Sequence, residues 1–224
     1  MAFEKFVPSE ESGGESGELK NIRAGKRVAV WNRAHQHWNT DALVTMCDWC
    51  FQKVSVPCHK VGMLTVQVNT ALSIQGLAYH NYPGFVFDVE RAVGKRMGLG
   101  AVKLSLPRNL GGVYQECGEF LREHLPSDYN PLFFKFLQVM HVISHEMTHI
   151  RDTRLFYLDK ASRVTSLGEV EYFGRVPGKV RRSKWKDRPC EIEAEHVAHK
   201  VILRGMDELA AMYLELKGSI NSVS

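Results

Sequence analysis

The chain has 224 residues, 44% of them hydrophobic, enough for one domain with a sizeable core. No run of eighteen apolar residues occurs, so no membrane-spanning helix is expected, and Met1-Ala-Phe-Glu-Lys-Phe6 lacks the apolar stretch of a secretory signal. Five cysteines make no even-numbered disulfide framework, and with the missing signal they predict a cytoplasmic protein in a reducing compartment.

The net charge of +4 is unevenly spread. Glu4, Glu10, Glu11, Glu15 and Glu18 stand against Lys5, and Ser9–Glu18 has nothing apolar to bury. Residues 1–26 therefore read as a disordered acidic tail, and 27–220 as the globular domain. Leu43, Met46, Cys47, Cys50, Phe51 and Val54 recur at helical steps behind a cap at Asn39 or Thr40. Leu64–Asn69 alternates as a half-buried strand does. Residues 72–82 and Phe85–Val89 read as extended, broken by Gly76 and by Pro83-Gly84. Ala101–Leu106 alternates again and stops at Pro107, and residues 113–124 read as a short helix weakened by Gly118. Pro131 then opens a helix on which Phe134, Leu137, Met140, Ile143 and Met147 recur at three- and four-residue steps. A polar connection over about 159–187 follows. The last helical stretch starts at Pro189, carries Ala194, Val197, Ala198, Val201 and Ile202 on one stripe, and runs to Lys217 with a break at Gly205. No internal repeat is visible.

The chemistry is concentrated in His145-Glu146-Met147-Thr148-His149, which matches H-E-x-x-H. Residues four apart share a helix face, so His145 and His149 can grip one Zn²⁺ with Glu146 beside it. Two imidazoles and a carboxylate are costly on so apolar a helix unless they bind a metal or are fully hydrogen-bonded. A third protein ligand is needed. The metzincin extension would place Gly and His where Asp152 and Leu155 stand, so that form is excluded. The other common source is a Glu on a later helix, and the Pro189 helix carries Glu191-Ile-Glu193-Ala-Glu195 in its first turns.

In these two parts together, over about residues 131–202, the chain resembles the gluzincin-like metallopeptidases, in which H-E-x-x-H is followed by a helix bearing Glu-x-x-Ala-Asp/Asn. It is most similar to the small zincin-like proteins of the ImmA/IrrE and SprT-like kind. The resemblance implies that His145, His149 and Glu191 hold one Zn²⁺. Glu146 would then accept a proton from the metal-bound water and pass it to the leaving amine. Glu195 takes the Asp/Asn place, one methylene longer, where it would orient a ligating imidazole. Glu193 is the alternative ligand, and since it lies about 200° around the helix from Glu191 the two cannot both face the metal. An oxyanion-stabilising group is expected among Tyr157, Tyr172, His196 and His199. The implied fold is α+β: a minimal zincin-like domain, with a small, mostly antiparallel sheet packed on the motif helix and the C-terminal third-ligand helix. In that family an edge strand beside the metal can bind an extended substrate, and Ala101–Leu106 is the candidate edge. The implied activity is zinc-dependent hydrolysis of a protein or peptide. The alternative is a catalytically idle zincin-like domain that binds a partner protein or DNA.

Further residues carry weaker signals. His141 shares the stripe of His145, as an alternative ligand, as a group orienting one, or as a hydrogen-bonded core histidine. Asp152 can accept an imidazole N–H or pair with Arg151 or Arg154. Cys47-Asp-Trp-Cys50, with Cys58-His59, has some spacing of a structural zinc site, but Cys47 and Cys50 fall on an apolar stripe where cysteine behaves as a small hydrophobe. Cys190 neighbours Glu191. The segment 178–188 is basic, and Lys179, Arg181, Arg182, Lys184 and Trp185 could meet nucleic-acid phosphates and bases or form a solvated loop.

Overall fold

The computed structural model describes residues 21–34, 38–56, 63–79, 84–95, 97–107, 119–125, 128, 130–159, 163–164, 170–171 and 189–220. The fold is α+β. Strands β1 (Ile22–Ala24), β2 (Val28–Asn32), β3 (Met63–Ala71), β4 (Gln75–Tyr79) and β5 (Met97–Pro107) make one sheet. Its order is β1-β2-β3-β5-β4. Helices α1 (Thr40–Lys53), α2 (Gly84–Val93), α3 (Glu119–His124), α4 (Pro131–Asp159), α5 (Pro189–Arg204) and α6 (Met206–Ile220) surround it. A two-stranded ribbon, β6 (Arg163–Val164) with β7 (Val170–Glu171), completes the described elements.

The sheet is mixed rather than mostly antiparallel. β1 with β2 and β4 with β5 are antiparallel, whereas β2–β3 and β3–β5 are parallel. The reason lies in the connections: α1 carries the chain back between β2 and β3, so the two strands run in the same direction. Both faces of the central strands are covered. Val28, Val30, Leu64, Val66, Val68, Val102, Leu104 and Leu106 pack with α1 and α4, while Ala29, Trp31, Met63, Met97 and Ala101 pack with Val86 and Val89 of α2. β3 is accordingly buried from Met63 through Val68, not half-buried.

Two other expectations change. Ile22–Ala24 pairs with β2, so the folded domain takes in residues assigned to the acidic tail, of which 1–20 lie outside the described residues. Phe85–Val89 is helical, with Val86 and Val89, three apart, both turned to the second core. Of the short helix expected over 113–124, Glu119–His124 is helical and 113–118 lie outside the described residues. Asn39 caps α1, its Oδ1 accepting from the N–H groups of Asp41 and Ala42. Asn130 does the same for Leu132 and Phe133 ahead of Pro131. Gly205 separates α5 from α6, and a Cβ there would stand 2.5 Å from Trp49 Cζ2. This close approach seats the α5–α6 corner on α1. Trp49 Nε1 and Lys53 Nζ both donate to Glu208 of α6, at 2.8 and 2.6 Å.

The edge strand nearest α4 is β4, not Ala101–Leu106. The latter lies in β5, between β3 and β4. Gly76 and Ala78 of β4 pair with Leu104 and Val102, so they share the sheet face that meets α4. Among the described residues, the outer edge of β4 pairs with no strand.

Candidate metal centre

α4 and α5 pack side by side, and their polar residues converge where they meet. One turn apart on α4, the His145 and His149 Nε2 atoms are 3.2 Å from each other. Glu191 Oε2, from the first turn of α5, is 3.3 Å from His145 Nε2 and 3.4 Å from His149 Nε2. The three atoms form a nearly equilateral triangle. Ligand atoms about 2.05 Å from a tetrahedral zinc ion stand about 3.3 Å apart, which is this spacing. The side chains are only 11–14% exposed. Glu193 points elsewhere, its Oε1 lying 3.8 Å from Arg151 Nη2. The geometry thus places Glu191, and not Glu193, with the two histidines.

Electrostatics favour a positive charge at this point. Burial works against protonating His145, but the bonded carboxylates of Glu191 and Glu195 outweigh it and raise the imidazole to about 9. Burial likewise opposes ionising Glu191, yet His145 and His149 bring its carboxyl down to about 2. A site that holds two carboxylates ionised against burial is suited to a cation.

Glu195 Oε2 stands 3.2 Å from His145 Nδ1. That contact turns Nε2 toward Glu191 and fixes the ring. His141 and His199 belong to a second group around the same carboxylate, described below, and His199 stacks flat on Phe120 at 3.7 Å. His196 is exposed on α5. Asp152 is buried and accepts from Arg151 Nε at 2.8 Å, an ion pair within the fold and not on its surface. Tyr172 and the basic residues Lys179, Arg181, Arg182, Lys184 and Trp185 lie outside the described residues, as does the side chain of Tyr157.

Glu146 is 7% exposed, and burial raises its pKa above the ordinary carboxylate value although His149 and His145 pull it down. The backbone N–H of Ala78 donates to it. Gly76, two residues earlier on the same strand face, approaches so closely that a Cβ would stand 2.4 Å from Glu146 Cγ and 2.7 Å from Oε1. By sequence alone, Gly76 reads as a break in an extended stretch. A lone glycine inside a strand pattern also signals close approach of backbone to another group, and that is its role here.

Cys47 and Cys50 are free and wholly buried between α1 and α4. Ser144 Oγ donates to Cys50 Sγ at 3.4 Å, and Cys50 Sγ to Met140 O at 3.6 Å. They are packing residues. Cys190 Sγ lies 3.9 Å from Glu191 Oε1, and Cys58 and His59 lie outside the described residues.

Two His/Glu groups among the described residues can hold a metal ion: His145, His149 and Glu191, and His141, Glu195 and His199. No helix among the described residues is long and apolar enough to cross a membrane. No protein-family model, curated protein or solved structure matches the chain.

Proposed function

We propose that the protein is a zinc-dependent metallopeptidase acting on extended segments of proteins or peptides. The observation that carries this reading is the 3.2–3.4 Å triangle of His145, His149 and Glu191, with Glu146 buried beside it against an edge strand. The resemblance to the gluzincin-like pattern supports it. His145, His149 and Glu191 would hold the ion. When bound, zinc supplies a Lewis acid for a carbonyl and lowers the pKa of water toward about 7. Glu146 is the proton carrier, and burial holds its carboxyl above the ordinary carboxylate value. Ala78 and Gly76 fix where that carboxyl stands. The outer edge of β4 can align an extended chain by strand addition.

The test is metal content alongside cleavage of an unfolded protein substrate. Wild type should carry zinc and cleave. Glu146→Gln should keep zinc while losing about 10²–10⁴-fold in rate. His149→Ala should lose this ion and the activity together. Wild type that takes up no zinc, or Glu146→Gln that cleaves normally, would overturn the reading.

The basic segment 178–188 favours a second reading: an idle domain of the same kind that binds DNA. It predicts a DNA complex that weakens steeply with salt, survives Glu146→Gln and accompanies no hydrolysis.

A further inference from the structure

His141 lies one turn before His145 on α4, and Glu195 and His199 lie one turn apart on α5. One ligand atom from each comes within 4.8 Å of the other two. Glu195 Oε1 stands 3.5 Å from His141 Nε2 and 3.0 Å from His199 Nε2. These separations bracket the edge of a tetrahedral zinc site, about 3.3 Å.

The cluster differs from an ordinary surface grouping of charges. His141 is 7% exposed, and its Nε2 is fully buried with no hydrogen-bond partner among the described residues. Such an atom is costly to leave unpaired, and ligation of a cation would offset that cost. The nitrogen faces the Glu195 carboxylate and so opens into the cluster. His199 is held by its stack on Phe120. Glu195 and His199 are 49% and 29% exposed, so an ion can enter from solvent and keep water at its remaining positions.

We propose that His141, Glu195 and His199 form a second site for a divalent transition cation such as Zn²⁺, joined to the His145 site through the Glu195 carboxylate. Two imidazoles and one carboxylate select zinc, nickel or copper over magnesium and calcium. Glu195 divides its oxygens: Oε1 serves this site, while Oε2 holds His145 Nδ1. A cation here would fix the carboxylate that orients a ligand of the first site.

The test is zinc stoichiometry of the full chain by equilibrium dialysis against micromolar Zn²⁺, on wild type, His199→Asn and His149→Ala. Thermal melts would establish that each variant folds. His199 is only half-buried, which makes His199→Asn the variant least disturbing to the core. The expected result is two equivalents in wild type and one in each variant. A single wild-type equivalent that survives His199→Asn and disappears in His149→Ala overturns the second site and leaves the first. The opposite pattern overturns the first and keeps the second. Two equivalents persisting in His199→Asn place the second ion elsewhere and also overturn the proposal, as does a wild type that binds none.

Discussion

A methyl group on Gly76 would stand 2.4 Å from Glu146 Cγ, too close for either side chain to keep its place. The backbone of Gly76 lies in an ordinary strand, so Gly76→Ala tests this approach and not chain conformation. On the proposed function, the variant should keep its zinc, because the proposed ligands stand on α4 and α5, while Glu146 shifts by a fraction of an ångström or more. Displacement on that scale costs about 10²-fold in turnover, with overpacking adding about 1–3 kcal/mol of destabilisation. Metal content measured beside initial rates separates the two effects, and a Gly76→Ala enzyme with wild-type kcat would remove Gly76 from the site. The acidic run on α5 gives a sharper contrast. Glu191→Ala should abolish stoichiometric zinc at the first site. Glu193→Ala should retain it, because Glu193 turns to Arg151. Equal zinc loss in both would contradict the assignment.

At the scale of elements, Asp48 of α1 ties the helix to the first hairpin. Its carboxylate accepts the backbone N–H groups of Lys26, Arg27 and Val28 at 2.7, 2.8 and 3.0 Å. Val28 is wholly buried, so Asp48→Ala leaves its N–H without a partner and should lower stability by about 2–3 kcal/mol. A denaturant titration should show a lower midpoint at unchanged slope, with first-site zinc retained. A midpoint within error of wild type would show that water replaces the carboxylate. Elements whose signals are local were legible in the sequence: the Asn39 cap, the Pro131 and Pro189 helix starts, the break at Gly205, and the one-turn spacing of His145 and His149. Signals that depend on distant partners were not. Strand β2 is short and apolar on consecutive residues, and only pairing with β3 makes it part of the sheet. Which strand lies at the edge follows from the β3–β5 pairing, which no local pattern encodes. The sharing of Glu195 between His145 and the His141–His199 pair likewise arises only when α4 and α5 are side by side.

For the whole molecule, the proposed ligand set joins two helices, α4 and α5, separated by residues 160–188 in the chain, so zinc binding should be read as global stability. Free zinc at about 100 times its dissociation constant adds about 2.7 kcal/mol, or about 5–10 °C in Tm for a chain of this size. Cys47 and Cys50 offer an independent probe of the same opening. Both are wholly buried beneath α4, and burial pushes the Cys50 thiol to about 12, so neither presents a thiolate in the folded protein. Their modification by a thiol reagent must await unfolding of the main core. Zinc should therefore slow their labelling by about 10²-fold, the factor that corresponds to 2.7 kcal/mol when reclosing outpaces modification. Peptide mapping by mass spectrometry separates these two sites from the other cysteines. Cys190, half-buried beside Glu191, reports on the α5 terminus instead. If a chelator lowers Tm and accelerates labelling at Cys47 and Cys50 in proportion, the ion is part of the fold's cooperative unit. If Tm falls while those two thiols stay protected, the ion holds only the α4–α5 junction, and the core under α4 is stable without it.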